Sequence, residues 1–249
     1  MDTRALLDFM APPRFEPENI TDTEVMTTAW QAAALPKEIR AKLGDNTITV
    51  IPDFLNYARM INTGQAGAML GLSGSKHDGF MCALKALPSV LAHPLRAMRK
   101  DFWLVAAALL RYDIALLPAD YRGVWMLHSY LADFSFFFDR GDVIKALFDI
   151  AGVGGAAGVH TQHLPLAMTC LARWGIAPKT CAFLYSPSDV NTLEALRSAR
   201  RVPCFKETRF IADISNMPGD LQASSQDLLA PAASQIDGII VSASDERKD

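Results

Sequence analysis

Lys206, Tyr185, His160 and Asp139 are the side chains of this sequence whose types could support covalent or proton-transfer chemistry, and each closes an apolar run with a polar head. A lysine at the end of an apolar strand is partly desolvated, which disfavours the ammonium, and a neutral lysine amine attacks carbonyl carbon to form a Schiff base. Bringing a lysine from its usual 10.4 to near 7 requires about 4 kcal/mol from its surroundings. Tyr185, expected one strand earlier, is placed to relay a proton, with Glu207 or Asp139 as counter-charge or base. The expected catalytic set is therefore Lys206, Tyr185, His160 and Asp139. Thr161, His163, Ser186 and Glu207 fall beside these residues at the same expected strand ends, Asp53 falls at the end of the first, and all five are assigned to substrate binding. The H-x-x-H spacing of His160 and His163 could direct two imidazoles at a metal, but the third ligand would have to come from Asp53, Asp139 or His77 on other strands. No metal or cofactor is assigned. The glycine-bearing loops 73–76 and 153–155 match neither phosphate-binding pattern and read as turns.

The elements that must position these heads alternate between short apolar runs and stretches with 3.6-residue periodicity. Strands are expected to begin near residues 47, 68, 113, 134, 156, 180, 202 and 238. The clearest βα unit runs from 156–161 into a helix whose apolar face includes Leu164, Met168, Leu171 and Trp174, closed by Gly175. Eight strands with helical connections point to an α/β fold, a (β/α)8 TIM-like barrel over 47–243. A helical N-terminal segment, 1–46, would pack on the barrel, with 21–42 standing in for a missing eighth helix. A long helical insertion at 73–112 would form two or three helices as a cap or lid. If the strand near 68 is false, the alternative is an open, doubly wound parallel sheet. In both architectures ligands bind at the carboxyl ends of the strands.

Composition narrows the function classes. Half of the 249 residues are hydrophobic and the net charge is only −3, which excludes a disordered chain. With 24 Lys+Arg against 27 Asp+Glu there is no basic excess for nucleic acid. The apolar run 102–110 is nine residues, half of what a bilayer requires, so no transmembrane segment is expected. Acids inside the first eight residues do not fit a secretory signal, and a cytoplasmic protein is expected. The four cysteines lack C-x-x-C spacing and read as small buried hydrophobes. Arg96, Arg99 and Lys100 precede Phe102 and Trp103, a cluster suited to a membrane surface or acidic partner, or simply a solvated helix face.

Phe205-Lys206-Glu207-Thr208, following a run that ends in Tyr185, resembles the lysine strand of the pyruvate-dependent class I lyases. The resemblance implies a (β/α)8 barrel and a Schiff-base lysine. The expected function is a small-molecule enzyme, a Schiff-base-forming lyase of the class I aldolase type acting on an oxygenated carbonyl metabolite, with homo-oligomerisation left open. One alternative uses His160 with Asp53 and Asp139 and a metal or flavin. Another is a non-catalytic metabolite-binding or assembly subunit whose partner surface is 73–112.

Overall fold

The β-branched run Thr47–Ile51 (β2) forms a strand buried along its whole length, as a strand covered on both faces must be. In the computed structural model, which describes residues 25–54, 57–58, 63, 76–99, 101–119, 121–151, 156–185, 190–215, 217 and 230–240, β2 belongs to a seven-stranded sheet. Its strands follow chain order: Val25–Thr28 (β1), β2, Val124–Leu127 (β3), Ala156–Thr161 (β4), Thr180–Leu184 (β5), Arg209–Asp213 (β6) and Gly238–Ile240 (β7). The pairs β1–β2, β4–β5, β5–β6 and β6–β7 are parallel, and the chain is an α/β protein. It divides into two compact units, Met1–Trp125 and Met126–Asp249.

In the first unit, Thr28 ends β1 and caps helix α1, Ala29–Ala34, through a capping box with Gln31. Helix α2, Lys37–Leu43, and a short 3-10 turn, Gly44–Asn46, lead into β2. Three helices follow among the described residues: α3, Lys76–Leu91; α4, Pro94–Met98; and α5, Phe102–Leu116. Asp101 starts α5 by accepting the backbone N–H groups of Trp103 and Leu104 at 3.0 and 3.1 Å. The Tyr121 hydroxyl lies 2.9 Å from Thr49 Oγ1 and 3.2 Å from the carbonyls of Thr47 and Val124, tying the start of β3 to β2.

In the second unit, helices Ser129–Phe137 (α6) and Gly141–Ala151 (α7) precede β4. Leu164–Trp174 (α8) joins β4 to β5, and Val190–Ala199 (α9) leads from β5 toward β6. Right-handed crossovers between strands taken in chain order place successive helices on one face of the sheet. That face carries Val159, Cys181, Phe183, Phe210 and Ala212, all fully buried. The other face holds Gly158, His160, Ala182, Ile211 and Asp213, because registered partners in parallel strands point the same way: His160 pairs with Ala182, and Ala182 with Ile211. Gly175 ends α8 with φ of 66°, the left-handed cap that its position demands. Three of the four cysteines are buried and Cys204 is partly exposed.

Several expected elements differ. Residues 113–117 are the last turns of α5 and 134–138 lie largely in α6, because an apolar run of five residues has no period of its own and here continues a longer helix. Residues 202–206 are not a strand: Pro203–Phe205 form a 3-10 turn, and the strand is β6, a few residues later. Residues 25–28, expected within a helix, form β1, and β3 stands where no strand was expected. The insertion at 73–112 is helical over its described part, as α3, α4 and the start of α5. The strand expected at 68–72 lies outside the described residues.

Candidate functional site

At the carboxyl end of the second unit's sheet, β4 and β6 bring His160 and Asp213 onto one face, separated by β5. The register offsets them by one step, since Asp213 pairs with Leu184 and His160 with Ala182. His160 Nε2 is 3.0 Å from Asp213 Oδ2, with side-chain exposures of 13% and 2%. Asp213 Oδ1 accepts both the backbone N–H of Ser215 at 3.0 Å and its hydroxyl at 2.6 Å. Burial alone would raise the Asp213 carboxyl, but the hydrogen bonds from His160 and Ser215 outweigh it and hold the group below the usual carboxylate range. Asp213 is therefore an anion at neutral pH and can only accept. His160 must donate Nε2–H to it, so Nδ1 is the ring nitrogen that carries the lone pair in the neutral imidazole.

His128 follows β3 and stands edge-on to His160, ring centroids 6.4 Å apart. Its Nδ1 accepts the Tyr130 backbone N–H at 3.2 Å, capping α6, and its ring stacks on Tyr130 at 5.3 Å. The ring proton must then sit on Nε2. Burial, and secondarily the neighbouring His160, push the His128 imidazole down to about 4 from its ordinary 6.5. His128 is a neutral N–H donor throughout the physiological range.

Asp133 of α6 anchors the end of β4 from the helical side. It accepts hydrogen bonds from the Thr161 hydroxyl and, at 3.0 Å, from the Gln162 backbone N–H. Burial raises its carboxyl, and the bonds from Thr161 and Gln162 only partly offset this. By fixing residues 161 and 162, Asp133 fixes the strand end from which His160 projects.

The expected site residues separate. His160 and Thr161 lie at this strand end but on opposite faces, Thr161 being fully buried. Tyr185 is also buried, its ring edge-on to Phe183 at 6.4 Å, so it belongs with Thr161 on the helical face and not beside His160. His163 begins α8 and rests against Phe137. Lys206 and Glu207 occupy an exposed turn between the 3-10 turn and β6, at the opposite end of the sheet. They line an open cleft of about 440 Å³ with Lys179, Pro178, Ala157 and Cys204. The length of β6 alone separates Lys206 from Asp213 by about 13 Å or more. The burial expected to desolvate Lys206 is absent because the strand that was to supply it is absent. Asp139 is exposed, has φ of 52°, and joins Arg173 at 2.5 Å and the Trp174 indole N–H at 2.8 Å near the end of α8. Asp53 belongs to the first unit, where its backbone N–H reaches Asp113 Oδ2 at 3.3 Å. Ser186 lies outside the described residues.

Of the residues that build the site, Asp133, Asp213 and Ser215 carry no expectation from sequence, and His128, expected as a structural histidine within a helical stretch, stands between β3 and α6. Their signal is present: Trp125-Met126-Leu127-His128 and Phe210-Ile211-Ala212-Asp213 are apolar runs closed by a polar head, the pattern that marked His160. Among the described residues no three His, Cys, Asp or Glu side chains converge as a metal-binding group.

His128 supplies a pH prediction with a definite sign. Between about pH 6.5 and 4 the unfolded chain binds its proton and the folded chain does not, so its contribution to stability falls on acidification through that window, by roughly 3 kcal/mol at most. Above pH 6.5 it is constant. Asp133, and Asp113, whose carboxyl burial holds well above 3.8, act with the opposite sign, because the folded state there keeps a proton that the unfolded state has lost. Only a residue-specific readout isolates the histidine. NMR titration of the His128 ring should give a midpoint near 4; a midpoint above 6 would contradict the burial on which its role as a neutral donor rests.

Comparison of the chain with protein-family models, with curated proteins and with solved structures finds no match.

Proposed function

We propose that the protein is a proton-transfer enzyme in which His160, oriented by Asp213, is the general base acting next to the carbonyl of a small oxygenated metabolite. The observation that carries this reading is the hydrogen bond from His160 Nε2 to a buried aspartate whose second oxygen is already saturated by Ser215. A carboxylate so occupied cannot turn away from the imidazole, which fixes both ring orientation and tautomer. His160 Nδ1 takes the proton from the carbon next to the carbonyl, and the C–H electron pair moves into the enolate. The developing charge rests on the carbonyl oxygen, where a neutral N–H donor such as His128 Nε2 can stabilise it without surrendering a proton prematurely. Return of the proton to the same or the neighbouring carbon completes exchange or isomerisation, and Asp213 stabilises the intermediate imidazolium.

The strand order, which never reverses, supports the (β/α)8 barrel as the complete architecture over a doubly wound sheet, whose order reverses once. In a barrel the carboxyl ends of the strands carry the chemistry and the amino ends do not, which favours His160 over Lys206.

Alkylation by bromopyruvate tests the assignment. A fixed basic Nδ1 beside a carbonyl site is expected to be carboxyketo-alkylated faster than the more exposed rings of His93 and His163, as mapped by peptide mass spectrometry. Labelling that follows exposure alone would overturn the reading.

A further inference from the structure

The helical hairpin of the first unit carries an apolar surface that the proposed chemistry does not use. Leu91 at the end of α3, and Leu95 and Met98 in α4, are 66%, 70% and 81% exposed. Leu95 and Met98, three residues apart within α4, share one side of that helix, and Leu91 closes α3 just before it. Phe102 and Val105, also three apart at the start of α5, are 42% and 45% exposed. Large side chains this exposed, and this close together, mark a surface that functions covered.

Charge indicates what covers it. Residues 76–111 hold six Lys and Arg against two Asp, in a chain whose net charge is −3. Arg96 is drawn to Asp101, the cap of α5, at 3.0 Å, whereas Arg99 and Lys85 have no carboxylate partner among the described residues. A second copy meeting this surface patch to patch would set one basic excess against another, which disfavours a symmetric pairing through it. An anionic surface satisfies both features at once, taking the apolar side chains into its boundary and the cations onto its charges. No helix among the described residues is long and apolar enough to cross a membrane. The contact would therefore be peripheral.

We propose that the tip of the α3–α4–α5 hairpin docks on an anionic lipid bilayer, laying Leu91, Leu95 and Met98 into the headgroup boundary with Arg99 on the lipid phosphates. The test is co-sedimentation of the full chain with vesicles of phosphatidylcholine alone or mixed with phosphatidylglycerol, at low and high salt. The wild-type chain should bind the mixed vesicles and release them as salt rises. Leu95→Ser/Met98→Ser should weaken that binding by about tenfold or more while leaving the melting temperature unchanged, since neither side chain is packed in the fold. Arg99→Glu should weaken binding to the mixed vesicles only. Absence of binding to either composition, or binding that the double variant retains in full, would overturn the proposal. So would a dimer in light scattering that the double variant dissolves without any vesicle binding, which would assign the patch to a second copy.

Discussion

Asp213→Asn should abolish most of the proposed proton-transfer activity while leaving the protein folded. The asparagine carbonyl can still accept the N–H and hydroxyl of Ser215, which turns its amide nitrogen toward His160. An N–H donor facing Nε2 forces the imidazole proton onto Nδ1, so the lone pair that removes the substrate proton is gone. Nothing remains to stabilise the imidazolium either. The expected loss is about 10²–10⁴ in rate, the usual contribution of a positioned base. The cost in stability is about 1–2 kcal/mol, since one charged hydrogen bond is replaced by a neutral one in the same geometry. Rate measurement beside thermal melting separates the two. An activity loss matched by unfolding, or a variant with near wild-type rate, would refute the orienting role. The stabilisation that Asp213 gains from its partners is present above its ordinary value of 3.8 and is lost as pH falls through its lower folded value. Acid inactivation near neutrality is thus not its doing.

Gly123→Ala should be the most destabilising small substitution in the first unit. A Cβ at this position would fall on the Thr47 carbonyl oxygen of β2, and within 2.5 Å of the Tyr121 hydroxyl that bridges Thr47, Thr49 and Val124. The carbonyl is strand backbone and cannot swing aside, so β3 must move away from β2 or the tyrosine bridge must break. Overpacking against backbone costs about 3 kcal/mol, or roughly 10 °C in melting temperature for a chain of this size. Gly158→Ala meets the Thr180 carbonyl at 2.5 Å and should behave similarly in the second unit, on the face that carries His160. A melting temperature within about 2 °C of wild type would show that the strands yield more easily than packed sheets do.

These predictions rest on residues of very different visibility in the sequence. β2, β4, β5 and β7 were legible because each is an apolar, β-rich run bounded by polar or glycine residues. Residues 113–117 and 134–138 have the same local texture, yet they end longer helices started by Asp101 and His128; the cap residue decided the matter, not the run. His128 is an unusual cap, accepting through an imidazole nitrogen, and it hid both α6 and the strand before it. The displacement from 202–206 to β6 had the largest consequence. Val202-Pro203-Cys204-Phe205 looks like a strand, but its proline begins a 3-10 turn, and Arg209–Asp213 takes the place in the sheet. The strand so displaced carries Asp213 at its carboxyl end, whereas Lys206 precedes its amino end. His160 closes β4, a strand legible in the sequence. Its contact with Asp213 crosses two strands and depends on register, which local sequence does not encode.

Proton transfer by His160 at a carbon beside a carbonyl would exchange that carbon's hydrogen with solvent, which proton NMR in deuterium oxide reads as loss of the C–H signals of pyruvate, glyceraldehyde or dihydroxyacetone phosphate. Wild type, His160→Gln and Lys206→Ala would be compared. Enzyme-dependent exchange is expected with at least one of these compounds, lost in His160→Gln and retained in Lys206→Ala. Exchange that survives His160→Gln and disappears in Lys206→Ala, or no exchange by folded wild-type protein with any of the three, would overturn the proposed role of His160.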